Sequence, residues 1–414
     1  MDYIKLLRHE LIPAFGCTEP IALALASSMA KKILEENPRK IVATLSGNMI
    51  KNANSVKVPG TDGRKGIEIS LVAGAFLGNP DKGLEVLEGI DKSKLNHCDK
   101  LIEDGIVEIK IKKDCPNLYI DVYMIGESNN SRVVLEHSHT NVVLVERNGE
   151  SIKNNQSDDF EEYEENLTFD GIYNFAKNGD YSEVKEILDM QLEYNNAIAV
   201  EGIENSWGSN IGKTILNRNS NIYEEKLVAY AAAGSDARMS GCEKPVVINS
   251  GSGNQGITVS VPLGLYLKDN NIDGELKYRS LVFANLIGLY IKQGIGKLSA
   301  YCGVVSAAAA SVCGIAFAKE ESKEIIEKTL TNALATNSGI ICDGAKPSCA
   351  SKIASSLRNA FLSFDQAKTE NSFVSGDGIV KGNIEETVKT VGIIARNGMK
   401  STDEVILEEM IKNK

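Results

Sequence analysis

The sequence predicts an α+β protein: a mixed N-terminal lobe with an antiparallel β-meander, and a mainly helical C-terminal lobe. Three observations predict it. From about 105 to 150 apolar and polar residues alternate with period two, in VEIKIKK, LYIDVYMIG and SRVVLEHSHTNVVLVERNG, with turn residues between the runs. After 166 the pattern becomes that of long helices rich in Ala, Gly and Ser. The acidic stretch NNQSDDFEEYEEN (154–166) separates the two, reads as a solvated linker, and divides the chain into 1–165 and 166–414.

Taken in order, Tyr3 to about Glu36 is helical, interrupted by a turn at PAFG (13–16) and restarted at CTEP. Thr18 suits the N-cap, and Glu19 and Pro20 suit the first turn after it. The helix PIALALASSMAKKILEEN then carries its lysines toward the C-terminal end, as the dipole favours. IVATLSG (41–47) reads as a strand, and NMIKNANSVKVPGTDGRKG (48–66) as a polar loop built to wrap a ligand. The helical half includes LVAYAAAGSDARMSG, LVFANLIGLYIKQGIGKLSAYCGVVSAAAASVCGIAFA and KEIIEKTLTNALATNSGII, whose small residues let backbones approach closely.

Charge and composition narrow the function. A net charge of −11 with no Lys/Arg stripe argues against nucleic acid or an anionic membrane as the main partner. The opening MDYIKLLRHE carries alternating charge unlike a signal peptide, and no apolar run approaches the ~20 residues of a membrane span, so the expected location is the cytosol. A homo-oligomer is left open. In a reducing compartment the eight cysteines serve as small buried residues, nucleophiles or metal ligands rather than disulfides. Cys98, Cys115 and Cys313 are expected to have no chemical role.

Four loops concentrate the chemistry. Cys17 stands just outside a helix N-terminus, a position that lowers a thiol pKa and favours thiolate; the bland alternative is a small residue before a helix. His137 and His139, two of only four histidines, fall at i and i+2 of a predicted strand and share a face, followed by Thr140 and Asn141. That face is either a polar edge or a pocket for a carboxylate or amine. The amides of NSGSGNQG (249–256) suit an anion at a helix start. This loop is similar to the asparagine loop of pyridoxal-phosphate enzymes, but the Schiff-base lysine context and the glycine-rich phosphate cup are missing, so no pyridoxal phosphate is expected. In ICDGAKPSCA, Cys342 and Cys349 lie seven apart around a Gly and a Pro, and Cys302 lies forty before Cys342. Three thiolates with no histidine nearby suit a soft metal better than hydrolytic zinc. A cubic iron–sulfur cluster held by three thiolates leaves one iron open as a Lewis acid.

Together, AFGCTEP, LSGNMIKNANSVKVPGT, HSHTN, AAGSDARMSG, INSGSGNQG, KLSAYCGVVSAAAAS and CDGAKPSCA span nearly the whole chain. In that order they resemble the L-cysteine desulfidase family, iron–sulfur relatives of bacterial L-serine dehydratase, whose alpha part the second half is similar to. The resemblance implies a 4Fe–4S cluster on Cys302, Cys342 and Cys349, and conversion of L-cysteine to sulfide, ammonia and pyruvate. It places the substrate carboxylate at Ser138, His139 and Thr140, with Asn48, Asn52, Asn254 and Gln255 as further contributors and Lys51 and Arg238 as available cations. Cys17 is then the base or a resting fourth ligand displaced by substrate, and His139 is the rival base. Serine dehydratase, and a non-catalytic iron–sulfur sensor, are the competing readings. The active site is expected at the junction of the two lobes.

Overall fold

The computed structural model describes residues 1–154, 167–218, 221–369 and 371–412; the expected linker lies outside them, apart from Asn154. The N-terminal region holds helices α1 (Tyr3–Glu10), α2 (Thr18–Leu34), α3 (Gly47–Ala53), α4 (Ile67–Leu77) and α5 (Leu95–Glu103). Its strands are β1 (Pro13–Phe15), β2 (Lys40–Ser46), β3 (Val107–Lys112), β4 (Tyr119–Ile125), β5 (Asn130–Glu136), β6 (Val142–Arg147) and β7 (Glu150–Asn154). Beyond it come α6 (Phe169–Asn178), α7 (Lys185–Glu204), α8 (Ile211–Leu216), α9 (Tyr223–Met239), the short strand β8 (Pro245–Val247), α10 (Gly253–Asp269) and α11 (Gly274–Gln293). The chain finishes with α12 (Gly303–Ala318), α13 (Lys323–Asn337), α14 (Cys349–Lys368), α15 (Ile384–Ile393) and α16 (Lys400–Lys412). A mixed sheet followed by a helical region is the predicted class.

The sheet runs β3-β2-β4-β5-β6-β7. Strands β4 to β7 form the expected antiparallel meander, but β3 does not join it directly: β2 inserts between β3 and β4 and pairs with β3 in parallel, Ile41 opposite Val107. Helix α2 covers this sheet with an almost wholly buried Ala/Leu face. Within PAFG, read as a turn, Pro13–Phe15 form strand β1, which pairs antiparallel with β8, Pro13 opposite Val247. That ladder ties the N-terminus into the helical region and sets the Cys17 loop beside the loop that leads into α10. The polar segment 48–66 is not loop throughout. Its first residues form α3, capped by the Ser46 side chain accepting from the Met49 N–H, and Lys51 and Asn52 are buried.

In the helical region small residues do what their composition suggested. A Cβ on Gly202 of α7 would lie 2.0 Å from the Ala233 carbonyl oxygen of α9, so only glycine permits this approach. Helix α12 is buried along almost its whole length, with Cys313 in its core. The long helical stretch expected through 281–318 is broken at GIGKLSAYC, and the break carries Lys297, Tyr301 and Cys302. No helix of the described residues is long and apolar enough to cross a membrane.

Candidate active site

Two backbone hydrogen bonds explain how cysteines forty residues apart meet. The Cys302 N–H donates to the Ile340 carbonyl (2.9 Å) and the Cys342 N–H to the Ala300 carbonyl (2.6 Å), with Tyr301 bridged to Ile341. This short antiparallel contact sets Cys302, the N-cap of α12, beside Cys342. The loop from Cys342 to Cys349 then turns back through Gly344 at φ +91°. A Cβ there would lie 2.7 Å from the Lys51 carbonyl oxygen and 2.9 Å from Asn52 Oδ1. Gly344→Ala is therefore expected to lower the unfolding free energy by roughly 1–3 kcal/mol in urea titrations, since the new side chain must strain both its own backbone and α3. From the other side, the buried Lys51 ammonium donates to the Cys342 carbonyl (3.2 Å) and pairs with Asp403 of α16.

Cys302, Cys342 and Cys349 line one small cavity of about 80 Å³, and Cys17 lines it with them. Cys17 and Cys349 also share an apolar cluster with Val56 and Met239. The Cys302 thiol donates to Cys342, and this contact, aided by Lys51 and the Gly344 N–H, holds Cys342 below the usual thiol range while Cys302 is pushed well above it. Burial pushes Cys349 up to about 11. Among the described residues no three His, Cys, Asp or Glu form a cradle for a single ion. Three free thiols lining one cavity are soft donors in the number that a cubic cluster with one open iron takes, so the donor set fits an iron–sulfur cluster.

The expectation of a Cys17 thiolate is corrected. Cys17 is itself the N-cap of α2, one residue before the expected cap, but it is buried, and its Sγ donates to Glu19 Oε2 at 3.1 Å. Burial, then the Glu19 carboxylate, push its pKa well up, outweighing the helix terminus and the nearby Arg238. Glu19 is the hub: it also accepts from Thr18 Oγ1 (3.1 Å) and Asn52 Nδ2 (3.2 Å). Burial alone would raise Glu19, yet its surroundings hold it below the carboxylate range. His139 is neutral near pH 7, because burial drives its imidazole down to about 4, so at that pH the Cys17 S–H and the Arg238 guanidinium do this work.

The two histidines do not share a strand face. Strand β5 ends at Glu136, His137 sits at φ +65°, and 137–141 is the β5–β6 turn, closed by the Asn141 N–H on the Ser138 carbonyl. His137 and Thr140 are exposed, while Ser138 and His139 point inward. His139 packs toward Gly251, and its Nε2 is buried with no hydrogen-bond partner. None of Ser138, His139 and Thr140 lines the cavity that holds the four cysteines. Asn52, Asn254 and Gln255 do line it; Asn48 does not. Asn254 and Gln255 stand in the first turn of α10, and the Oδ1 atoms of Asn52 and Asn254 are buried without a partner, two acceptors left for a ligand's donor.

Sequence reasoning gave Glu19 only a helix-end role and passed over Lys292 and Lys297. Lys292 is buried in the last turn of α11, where burial depresses its pKa to about 8. A lysine closing a long apolar run was the available signal, but it reads equally as a helix-end cation. Lys297 pairs with buried Glu10 at 2.9 Å. Burial would raise Glu10, but the Lys297 ammonium and His9 hold it at about 2, below its ordinary 4.5. A carboxyl depressed on folding stabilises the fold above its unfolded pKa and loses that contribution as pH falls through the folded one. Glu10→Gln is thus expected to cost on the order of 3 kcal/mol at pH 7 and to flatten the loss of stability between about pH 4.5 and 2. Urea unfolding at pH 7 and pH 3 checks this; an unaltered pH dependence sinks it.

A family profile described as "Serine dehydratase alpha chain" matches residues 81–408. A protein of Finegoldia magna named "UPF0597 protein" is 42% identical, the match covering 99% of each chain. Proteins of the same name from Lachnoclostridium phytofermentans (43% identical, 99% of each chain) and Treponema denticola (42%, covering 99% of this chain and 98% of the relative) are similar over their whole length. Those names carry no substrate. With most of its length under the profile and end-to-end relatives at this identity, the chain belongs to the serine dehydratase alpha chain family.

Proposed function

We propose that this protein is an iron–sulfur lyase that degrades L-cysteine to hydrogen sulfide, ammonia and pyruvate. The observation that carries the reading is the meeting of Cys17, Cys302, Cys342 and Cys349 on one cavity, which Glu19, the acceptor of the Cys17 S–H, also lines. Cys302, Cys342 and Cys349 would hold a 4Fe–4S cluster, which supplies an open, soft, Lewis-acidic iron for the sulfur that leaves.

The chain's own residues supply the proton chemistry. Cys17 is a protonated thiol at rest, and its hydrogen-bond acceptor is Glu19, 3.1 Å away. Because the thiol is held high and the carboxyl low, passing the proton to Glu19 is uphill and belongs to the barrier of the step in which Cys17 acts as base. The thiolate then removes the α-proton of the substrate. The C–H electron pair forms the Cα–Cβ double bond, sulfur leaves with its own bonding pair, and the resulting aminoacrylate tautomerises and hydrolyses to pyruvate and ammonia. The orphaned Oδ1 atoms of Asn52 and Asn254 accept from the substrate ammonium, which fixes the α-carbon relative to Cys17. His139, neutral and off the cavity wall, is the weaker candidate for base.

A second reading is supported by the family description itself: L-serine as substrate, with hydroxide leaving in place of sulfide. One experiment separates them. Anaerobically purified protein, analysed for iron and acid-labile sulfide, is offered L-cysteine and L-serine in turn. The proposal expects a 4Fe–4S complement and pyruvate with equimolar sulfide from L-cysteine. Pyruvate from L-serine alone would move the assignment to a dehydratase, and protein that binds iron and sulfide but turns over neither would sink the lyase reading.

A further inference from the structure

Beside the cysteine-lined cavity opens a larger one of about 410 Å³, and the two share Lys292, Lys297 and Leu298 as a common wall. Three cations line the smaller cavity. Arg238 donates its Nε–H to the Gly16 carbonyl (3.1 Å) and lies near Glu19. Lys297 is paired with Glu10 at 2.9 Å. Lys292 differs from both: only 4% exposed, it has no carboxylate partner among the described residues, and the ionisable groups facing it are the thiols of Cys342 and Cys302.

A buried ammonium without a carboxylate is costly, and the cost is offset when an anion arrives. An amino acid brings one. A thiol directed to the cysteine trio and an ammonium at Asn52 and Asn254 leave the carboxylate as the third group to be placed. The Ser138–His139–Thr140 segment, first choice for that task on resemblance, is not on this wall.

We propose that Lys292 binds the carboxylate of the amino-acid substrate, an assignment that rests on the lyase reading above. It predicts that the smaller cavity selects thiols bearing a carboxylate.

The test compares wild type with Lys292→Met and Lys292→Gln, purified anaerobically, matched for iron content and checked for cooperative thermal unfolding. Dissociation constants are read from changes in the visible spectrum or melting temperature with 3-mercaptopropionate, which has thiol and carboxylate, and cysteamine, which has thiol and amine only. Both variants should weaken 3-mercaptopropionate by about 10–100-fold, as expected for losing a charged hydrogen bond, and leave cysteamine within about twofold. KM for L-cysteine should rise with KM for the ester of L-cysteine unchanged. Equal weakening of the two thiols, or loss of iron in both variants with the preference for carboxylate intact, overturns the assignment and makes Lys292 a counter-charge to the metal group. Wild type that cleaves L-cysteine while the variants keep its carboxylate preference removes Lys292 and leaves the lyase reading standing. Wild type that neither binds nor cleaves L-cysteine or L-serine removes both.

Discussion

On the proposed reading, replacing any one of Cys302, Cys342 and Cys349 by serine should abolish sulfide release from L-cysteine and the bound iron and acid-labile sulfide, whereas Cys313→Ala should keep both. The reason is geometric. Cys302 and Cys342 are held side by side by two backbone hydrogen bonds and Cys349 lines the same cavity, while the other thiol there, Cys17, is engaged with Glu19. An alkoxide is a harder donor than a thiolate and a poor substitute toward iron in a cluster. Cys313 is equally buried, but it lies in the core of α12 with its Sγ near the Ile326 carbonyl and off that wall. Its loss should cost only about 1 kcal/mol of stability. Iron and sulfide content per chain, measured anaerobically, is the readout. Full iron content in any of the three serine variants would exclude that cysteine as a ligand.

Cys17→Ala should lower kcat for L-cysteine by about 10²–10⁴-fold while iron content stays at the wild-type level. This outcome separates the two roles open to Cys17. A base that passes its proton to Glu19 can be removed without touching the metal, whereas a fourth ligand cannot. Glu19→Gln should show a similar kcat loss, since the amide cannot take the Cys17 proton, and the double variant should be little worse than either single one because the two act as a unit. Iron loss in Cys17→Ala, or full additivity in the double variant, would overturn the couple.

Much of the fold could be read from periodicity, and the exceptions have specific causes. Strands β4 to β6 announce themselves as short apolar runs such as VVLV bounded by turns, because each buries three or four consecutive residues. The insertion of β2 between β3 and β4 left no trace, since strand order and direction are set by non-local pairing. Strand β1 is three residues long, too short for any period to show. At the site, the two cysteines of the 342–349 loop were visible as chemistry, but their meeting with Cys302 depends on a contact between 300–302 and 340–342 that has no sequence pattern. The Cys17 thiolate was inferred from a helix terminus alone; burial beside Glu19, which reverses the sign, is a tertiary property. The histidine turn misled because TN after HSH continues an apparent alternation, while the backbone has already left the strand at His137.

The ladder between β1 and β8 bears on the order of events during synthesis. Pro13 finds its partner Val247 only after more than two hundred further residues have been translated, roughly ten to fifty seconds later at about 5–20 residues per second. Until then Cys17 emerges on a nascent chain without the strand that anchors it, and Cys349 follows later still. On the reading proposed above, iron delivered early would meet single thiols rather than an enclosure, so metal loading is expected only after Cys349 has been made and the ladder has closed.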